Sequence, residues 1–141
     1  MPENFKPLQW TDELATGVDV IDKQHKMLIN ILNDANRCFR DRGDRELQKK
    51  VIDDLLSYTV YHFDTEEELM ETSGLGDISP DDELKHIHEH RAFTGKAREY
   101  QSAVHDGNSI DYESVFSFLN GWLVNHVMGT DKKLGAFLNS K

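Results

Sequence analysis

GVDVIDKQHKMLINILNDANRCF, residues 17–39, places Val18, Ile21, His25, Leu28, Leu32, Ala35 and Phe39 at alternating steps of three and four. That rhythm marks one face of an amphipathic helix packed against neighbours. The same rhythm recurs three times downstream. Leu47, Val51, Leu55, Tyr58, His62, Glu66 and Leu69 form a second seam. His86, His90, Phe93, Ala97, Tyr100 and Val104 form a third, and Tyr112, Val115, Leu119, Trp122 and His126 a fourth. Four helices are therefore expected over about 18–41, 45–72, 81–105 and 111–128. An arm over about 1–17 precedes them, and a short tail over 129–141 follows. Local signals agree with these bounds. Asp44 followed by Glu46, and Ser79-Pro80-Asp81-Asp82-Glu83, carry the polar cap, early proline and first-turn acids of helix starts. Gly43, Gly74, Gly76 and the turn DGNS at 106–109 fall in the gaps. Short loops make sequential helices antiparallel neighbours, so the expected fold is all-α, an up-down-up-down four-helix bundle in one domain.

Composition narrows the function. The chain has 141 residues, 38% hydrophobic and 30% charged, as ordinary globular domains do. Its 16 basic against 26 acidic residues, a formal charge of -10, exclude the basic footprint of a nucleic-acid or anionic-membrane binder. No apolar run reaches the roughly 18 residues of a membrane helix. The N-terminus MPENFKPLQW has no apolar core of a secretory signal. The single cysteine, Cys38, builds no intrachain disulfide framework, which fits a reducing, cytoplasmic setting.

Each seam is apolar except at His25, His62, Glu66, His86, His90 and His126. Burying one such group without a partner costs on the order of several kcal/mol. Any one of them alone reads as a hydrogen-bonded core histidine. As a set they do not. His25 lies roughly 10 Å into the first helix at about 1.5 Å per residue. Following the chain up and down the bundle brings the other five to a similar height. His62/Glu66 and His86/His90 are i, i+4 pairs on single helix faces. Asp131 is five residues beyond His126, about 140° away on a regular helix. It turns inward only if the helix loosens or ends near Gly129, so a distortion is expected there. His88 points opposite to His86 and His90, and His105 lies about 22 Å beyond His90. Both are expected at the surface.

Five imidazoles and two carboxylates exceed the four ligands of a zinc site. They suit two imidazole-tolerant ions of higher coordination number, with non-haem iron the natural candidate. With Glu66, Asp131 and one oxo or hydroxo group bridging, three histidines complete one ion, and two leave the other a single vacancy. Leu123, three residues before His126, and Leu28, three after His25, are expected to wall that vacancy with apolar surface. A histidine-rich shell favours reversible binding over O–O cleavage, and no acid or base beyond the ligands is evident to drive turnover.

The residues resemble those of the hemerythrins, most closely single-domain bacteriohemerythrins. The resemblance rests on Trp10, GVDVIDKQHK (17–26), YHFDTEEELM (61–70), HIHEHRAF (86–93) and WLVNHVMGTDKKLGAFL (122–138). It covers nearly the whole chain and fills all seven ligand positions. It implies that His86, His90 and His126 hold a saturated iron, and that His25 and His62 hold the iron that accepts O2. Glu66 and Asp131 would bridge, and Leu123 would line the O2 pocket. The leading expectation is an O2-binding protein for oxygen carriage, storage or local supply. A monomer is expected, with a protein as candidate recipient of the oxygen. The sequence shows no fused signalling or membrane segment.

Two other classes compete with O2 binding. A di-iron oxidase, peroxidase or nitric-oxide-handling enzyme would show sustained turnover with an electron donor. An iron or oxygen sensor would show a partner bound according to iron oxidation state, with the acidic surface as its face. Other residues have plainer expectations. Cys38 is a packed thiol, Trp10 an apolar lid over the open end of the bundle, and Tyr58 and Tyr112 packing residues. Trp122 is either core or pocket wall. The acidic runs at 53–54, 67–68 and 81–83 read as solvated helix surface.

Overall fold

The computed structural model describes residues 8–41 and 44–140. A short 3-10 turn, Asp12–Leu14, precedes α1 (Asp19–Arg40), α2 (Arg45–Ser73), α3 (Leu75–Ile78), α4 (Pro80–His105) and α5 (Tyr112–Asn125). A π-helical segment, His126–Asp131, then leads without a break into α6 (Lys132–Asn139). The long helices α1, α2, α4 and α5 form the antiparallel bundle. Their starts follow the expected chemistry. The Asp44 carboxylate accepts from the Leu47 amide at 2.8 Å. Pro80 occupies the first turn of α4, and Asp111 caps α5 through Ser114. Gly74, with φ of 77°, ends α2 in a left-handed conformation that a side chain would disfavour. Residues 1–7 of the arm, and the expected break at Gly43, lie outside the described residues.

Two local expectations are corrected. In place of a short tail from 129, the fourth bundle helix runs on through the π segment and α6 to Asn139. Leu47 is 45% exposed and leaves the second seam, since it lies in the first turn of α2 beyond its neighbours. At the other end of α2, Leu69 packs partly buried against the smaller core cluster, of which Met70 is a fully buried member.

The apolar interior is in two parts. The larger includes Leu28, Leu32, Leu55, Phe93, Phe116 and Leu119; the smaller comprises Ile21, Met70, Leu75 and Leu134. Along α1 the order is Ile21, His25, Leu28, so the buried polar layer lies between the two clusters. Each buried large apolar side chain contributes about 1.5–3 kcal/mol, and the layers on either side hold the polar groups in register.

The arm fastens α6 to this frame. Asp22 of α1 accepts from the Thr16 amide and hydroxyl, both at 2.8 Å, and from the Gly17 amide at 3.3 Å. Asn139 of α6 donates to the Thr16 carbonyl. At Gly135 the backbones nearly touch, because a Cβ there would sit 2.4 Å from that same carbonyl oxygen. Among the described residues no helix is long and apolar enough to cross a membrane.

Candidate metal centre

His25 comes from α1, His62 and Glu66 from α2, His86 and His90 from α4, and His126 and Asp131 from the π segment. All seven are buried. They fall into two sets whose ligand atoms lie within 4.8 Å of one another. One set is His86, His90 and His126 with Glu66 and Asp131; the other is His25 and His62 with the same two carboxylates. The π segment makes the second carboxylate available. Its i→i+5 bonding pattern brings residue i+5 back over residue i, where a regular helix would turn it aside. Asp131 thereby reaches within 3.1 Å of the His126 Nε2 atom. His88 and His105 are exposed, as their spacing predicts.

The carboxylates divide their oxygens between the sets. Glu66 Oε1 lies 3.3 Å from His86 Nε2 and 2.9 Å from His90 Nε2, while Oε2 lies 3.3 Å from His62 Nε2 and 3.6 Å from His25 Nε2. Asp131 Oδ1 faces His86 at 3.0 Å and Oδ2 faces His25 at 2.9 Å. Of these contacts only those of His86 and His90 with Glu66 Oε1 have hydrogen-bonding geometry. His25 Nε2, His126 Nε2, Glu66 Oε2 and both Asp131 oxygens are buried without a partner in bonding geometry. Buried polar atoms are almost always paired. Nitrogen and oxygen lone pairs crowded around one centre without donors are what a cation would satisfy, so these residues fit a metal centre.

The opposite edges of the rings are held by the protein. His62 Nδ1 meets Gln24 Oε1 at 2.7 Å, His90 Nδ1 meets Glu67 Oε2 at 2.9 Å, and His126 Nδ1 meets Glu89 Oε1 at 2.7 Å. Each of these contacts leaves Nε2 facing the centre. Outer partners of this kind fix the tautomer and raise the basicity of a ligating imidazole. Gln24, Glu67 and Glu89 each adjoin a candidate ligand in sequence, and each reaches across to a histidine on the next bundle helix. That adjacency was the available signal, and Glu67 is no solvated surface acid. His25 Nδ1, by contrast, is buried with no partner. The Glu89 carboxylate is further held by the Thr130 hydroxyl at 2.7 Å. Although burial raises its pKa, Thr130 and His126 outweigh that and hold it below the usual carboxylate range. Glu89→Ala should lower metal affinity about 10- to 100-fold while leaving the stoichiometry at saturation unchanged. Competition against a chelator of known affinity measures it.

Protons can stand in where cations would sit. Burial opposes charge on His25, but Asp131 and Glu66 outweigh it and push its pKa up to about 9. The same balance raises His126 to about 10 and shifts His86 upward. Burial likewise opposes ionisation of Glu66, yet the histidines around it keep its carboxyl well below the ordinary range. Asp131 is lowered too, against both burial and the charge of Glu66, by His126, His25 and His86.

A small apolar cavity of about 10 Å³ lies against His25, lined by Leu8, Trp10, Leu14, Ile29, Leu123 and Val127 among others. Leu123 lines this cavity beside His25. Leu28 does not line this space; it packs in the larger core cluster, and Ile29, one position on, faces the cavity. Trp10 covers the cavity from the arm, with the Lys26 ammonium 4.9 Å from its ring centre.

Residues 16–138 match the family model of the hemerythrin HHE cation binding domain. The chain belongs to the hemerythrin family. It is 35% identical over 125 residues to a bacteriohemerythrin of Stenotrophomonas maltophilia (strain R551-3), spanning 89% of this chain and 77% of that one. It is 31% identical over 134 residues to the bacteriohemerythrin of Methylococcus capsulatus, covering 94% of this chain and 98% of that one. A wild-type hemerythrin crystal structure superposes with a TM-score of 0.83 at 31% identity, over 93% of this chain and 97% of the other. For a hemerythrin domain with this cluster, the family implies non-haem iron, and members are generally oxygen-binding proteins rather than enzymes.

Proposed function

We propose that the chain binds O2 reversibly at a carboxylate-bridged pair of non-haem irons, for carriage, storage or local supply of oxygen. The observation that carries this reading is the division of the Glu66 and Asp131 oxygens between a three-histidine and a two-histidine set. His86, His90 and His126 would hold one iron and His25 and His62 the other, with both carboxylates shared. An oxo or hydroxo bridge would complete the shared set, leaving the vacancy on the two-histidine side. When bound, the iron pair supplies the electrons that hold O2; the protein supplies orientation and dryness.

The cavity beside His25 supports this assignment. Its volume and apolar walls suit a small uncharged molecule, and its lining holds no ionisable group besides His25. Without a proton donor or base facing the vacancy, binding is favoured over turnover. A monomer in the cytoplasm, passing O2 to a protein recipient, fits the acidic surface and the free thiol of Cys38.

The test is spectroscopic. Reduced, iron-loaded protein exposed to O2 should develop a visible charge-transfer band that fades on degassing and returns on re-exposure. His25→Ala should lose the band by removing a ligand from the accepting iron. Irreversible bleaching of the wild type on first exposure to O2 would overturn the proposal.

A further inference from the structure

The two sides of the centre differ in access. The two-histidine side meets the small cavity of about 10 Å³. The three-histidine side meets a cleft of about 640 Å³ between α4 and the run from α5 through the π segment to α6. His86 and His126 themselves form part of its lining. This volume falls within the range of small-molecule sites, roughly 300–1,000 Å³. Trp122 lines the cleft beside these two histidines. Its ring stacks on His126 with centroids 4.4 Å apart and planes 14° from parallel.

A ferrous pair that meets O2 loses electrons from time to time, so an O2-binding iron centre needs a way to regain them. The reductant cannot come through the apolar cavity, which at about 10 Å³ is far too small for a carrier. The cleft has what a planar carrier needs. Trp122 and Phe137 offer aromatic surface and Asn125 an amide to ring carbonyls. Ser79 and Thr130, whose hydroxyls donate to Asp82 and Glu89, keep oxygen lone pairs for ring N–H groups. Its formal charges balance, Lys85 pairing with Glu89 at 3.6 Å and Lys133 with Asp82 at 3.1 Å. An uncharged ring is therefore favoured over a strongly anionic one.

We propose that this cleft is an electron-entry site that takes a reduced flavin, with Trp122 as the contact between the flavin ring and His126. The proposal rests on the di-iron reading above. In the step, one flavin hydroquinone gives up two electrons and two protons and becomes oxidised flavin. Each of two ferric ions gains one electron, and the protons leave to solvent.

Riboflavin, uncharged outside its ring, is the probe. Titrating iron-loaded, oxidised protein into oxidised riboflavin should quench flavin fluorescence saturably. Trp122→Leu removes one aromatic contact and should weaken binding about tenfold. Asn125→Trp, at an exposed position on the cleft wall, should block binding without touching the stack on His126. Under anaerobic conditions, reduction by riboflavin hydroquinone should saturate with flavin concentration and slow in both variants. Reduction by dithionite, too small to need the cleft, should be unchanged in Asn125→Trp. Quenching that does not saturate, titrations alike in wild type and both variants, or equal slowing with both reductants in Asn125→Trp would overturn the proposal. A reversible O2 band with no flavin binding sinks the cleft assignment alone. Flavin binding without a reversible band sinks only the O2 reading.

Discussion

Glu66→Ala should leave the protein unable to hold either iron, with metal content near zero after gel filtration. Glu66 is the single side chain within reach of all five candidate histidines, at 2.9 to 4.0 Å from their Nε2 atoms. Its two oxygens face different histidine sets, so its loss removes one ligand from each ion at once, together with a negative charge at the centre of the cluster. Loss of a partner in the outer shell costs roughly 10- to 100-fold in metal affinity. Loss of a shared ligand should cost more, and in both ions. Removal of His62 should be milder, sparing the three-histidine set and leaving about one ion per chain. Elemental analysis of the two variants side by side distinguishes these outcomes. A Glu66→Ala protein that retains two irons and a normal oxygenation spectrum would contradict the shared-ligand assignment.

Stripping the metal should make stability steeply dependent on pH on the alkaline side. In stripped protein, His25 and His126 hold protons against Asp131 and Glu66, with pKa values of about 9 and about 10 against the ordinary 6.5. A raised folded-state pKa contributes stability that is complete below the unfolded value. That stability drains as pH climbs from 6.5 through 9 and 10. Glu66 and Asp131 are shifted the other way, so their contribution is present above the ordinary carboxylate values of 4.5 and 3.8. It is lost as pH falls towards their depressed folded-state values. Stripped protein should therefore be most stable between about pH 4.5 and 6.5. By pH 9.5 it should lose several kcal/mol, since each pKa unit corresponds to about 1.4 kcal/mol. Iron-loaded protein should be nearly flat over the alkaline range, because ligating imidazoles are already neutral. Urea denaturation of both forms at pH 5.5 and 9.5 measures the contrast. Equal stability of the stripped form at the two pH values would mean that the buried imidazoles carry no protons there.

The two predictions share one cause. Seven polar groups have been taken out of water and aimed at each other, and either cations or protons must reconcile them. The surrounding packing supplies the force. Leucine, isoleucine and phenylalanine layers on both sides of the cluster bury enough apolar surface to hold the groups together. The arm holds α6, which continues directly from the π segment, at Thr16 and Gly135.

Much of this was determined by the order of residues alone. A helix face repeats every three or four positions, so the apolar seams and their six polar interruptions were legible as a pattern, and helix rise put those interruptions at one height. The need for Asp131 to join a histidine five residues earlier required a loosened helix, and the π segment supplies it. Tertiary structure decided what depends on rotation and offset between helices. Periodicity reports which face of a helix is buried, not what it meets there. Thus Glu67 resembled any surface acid until α4 brought His90 to it, and Ile29 rather than Leu28 faces the cavity, a single step around α1. The region after Gly129 carries glycines and lysines that read as a tail. It is helical because Leu134 packs into the smaller core cluster and Gly135 lets the backbone lie against the arm. Those contacts join residues distant in sequence, Thr16 and Gly135 more than a hundred positions apart, and no local spacing encodes them.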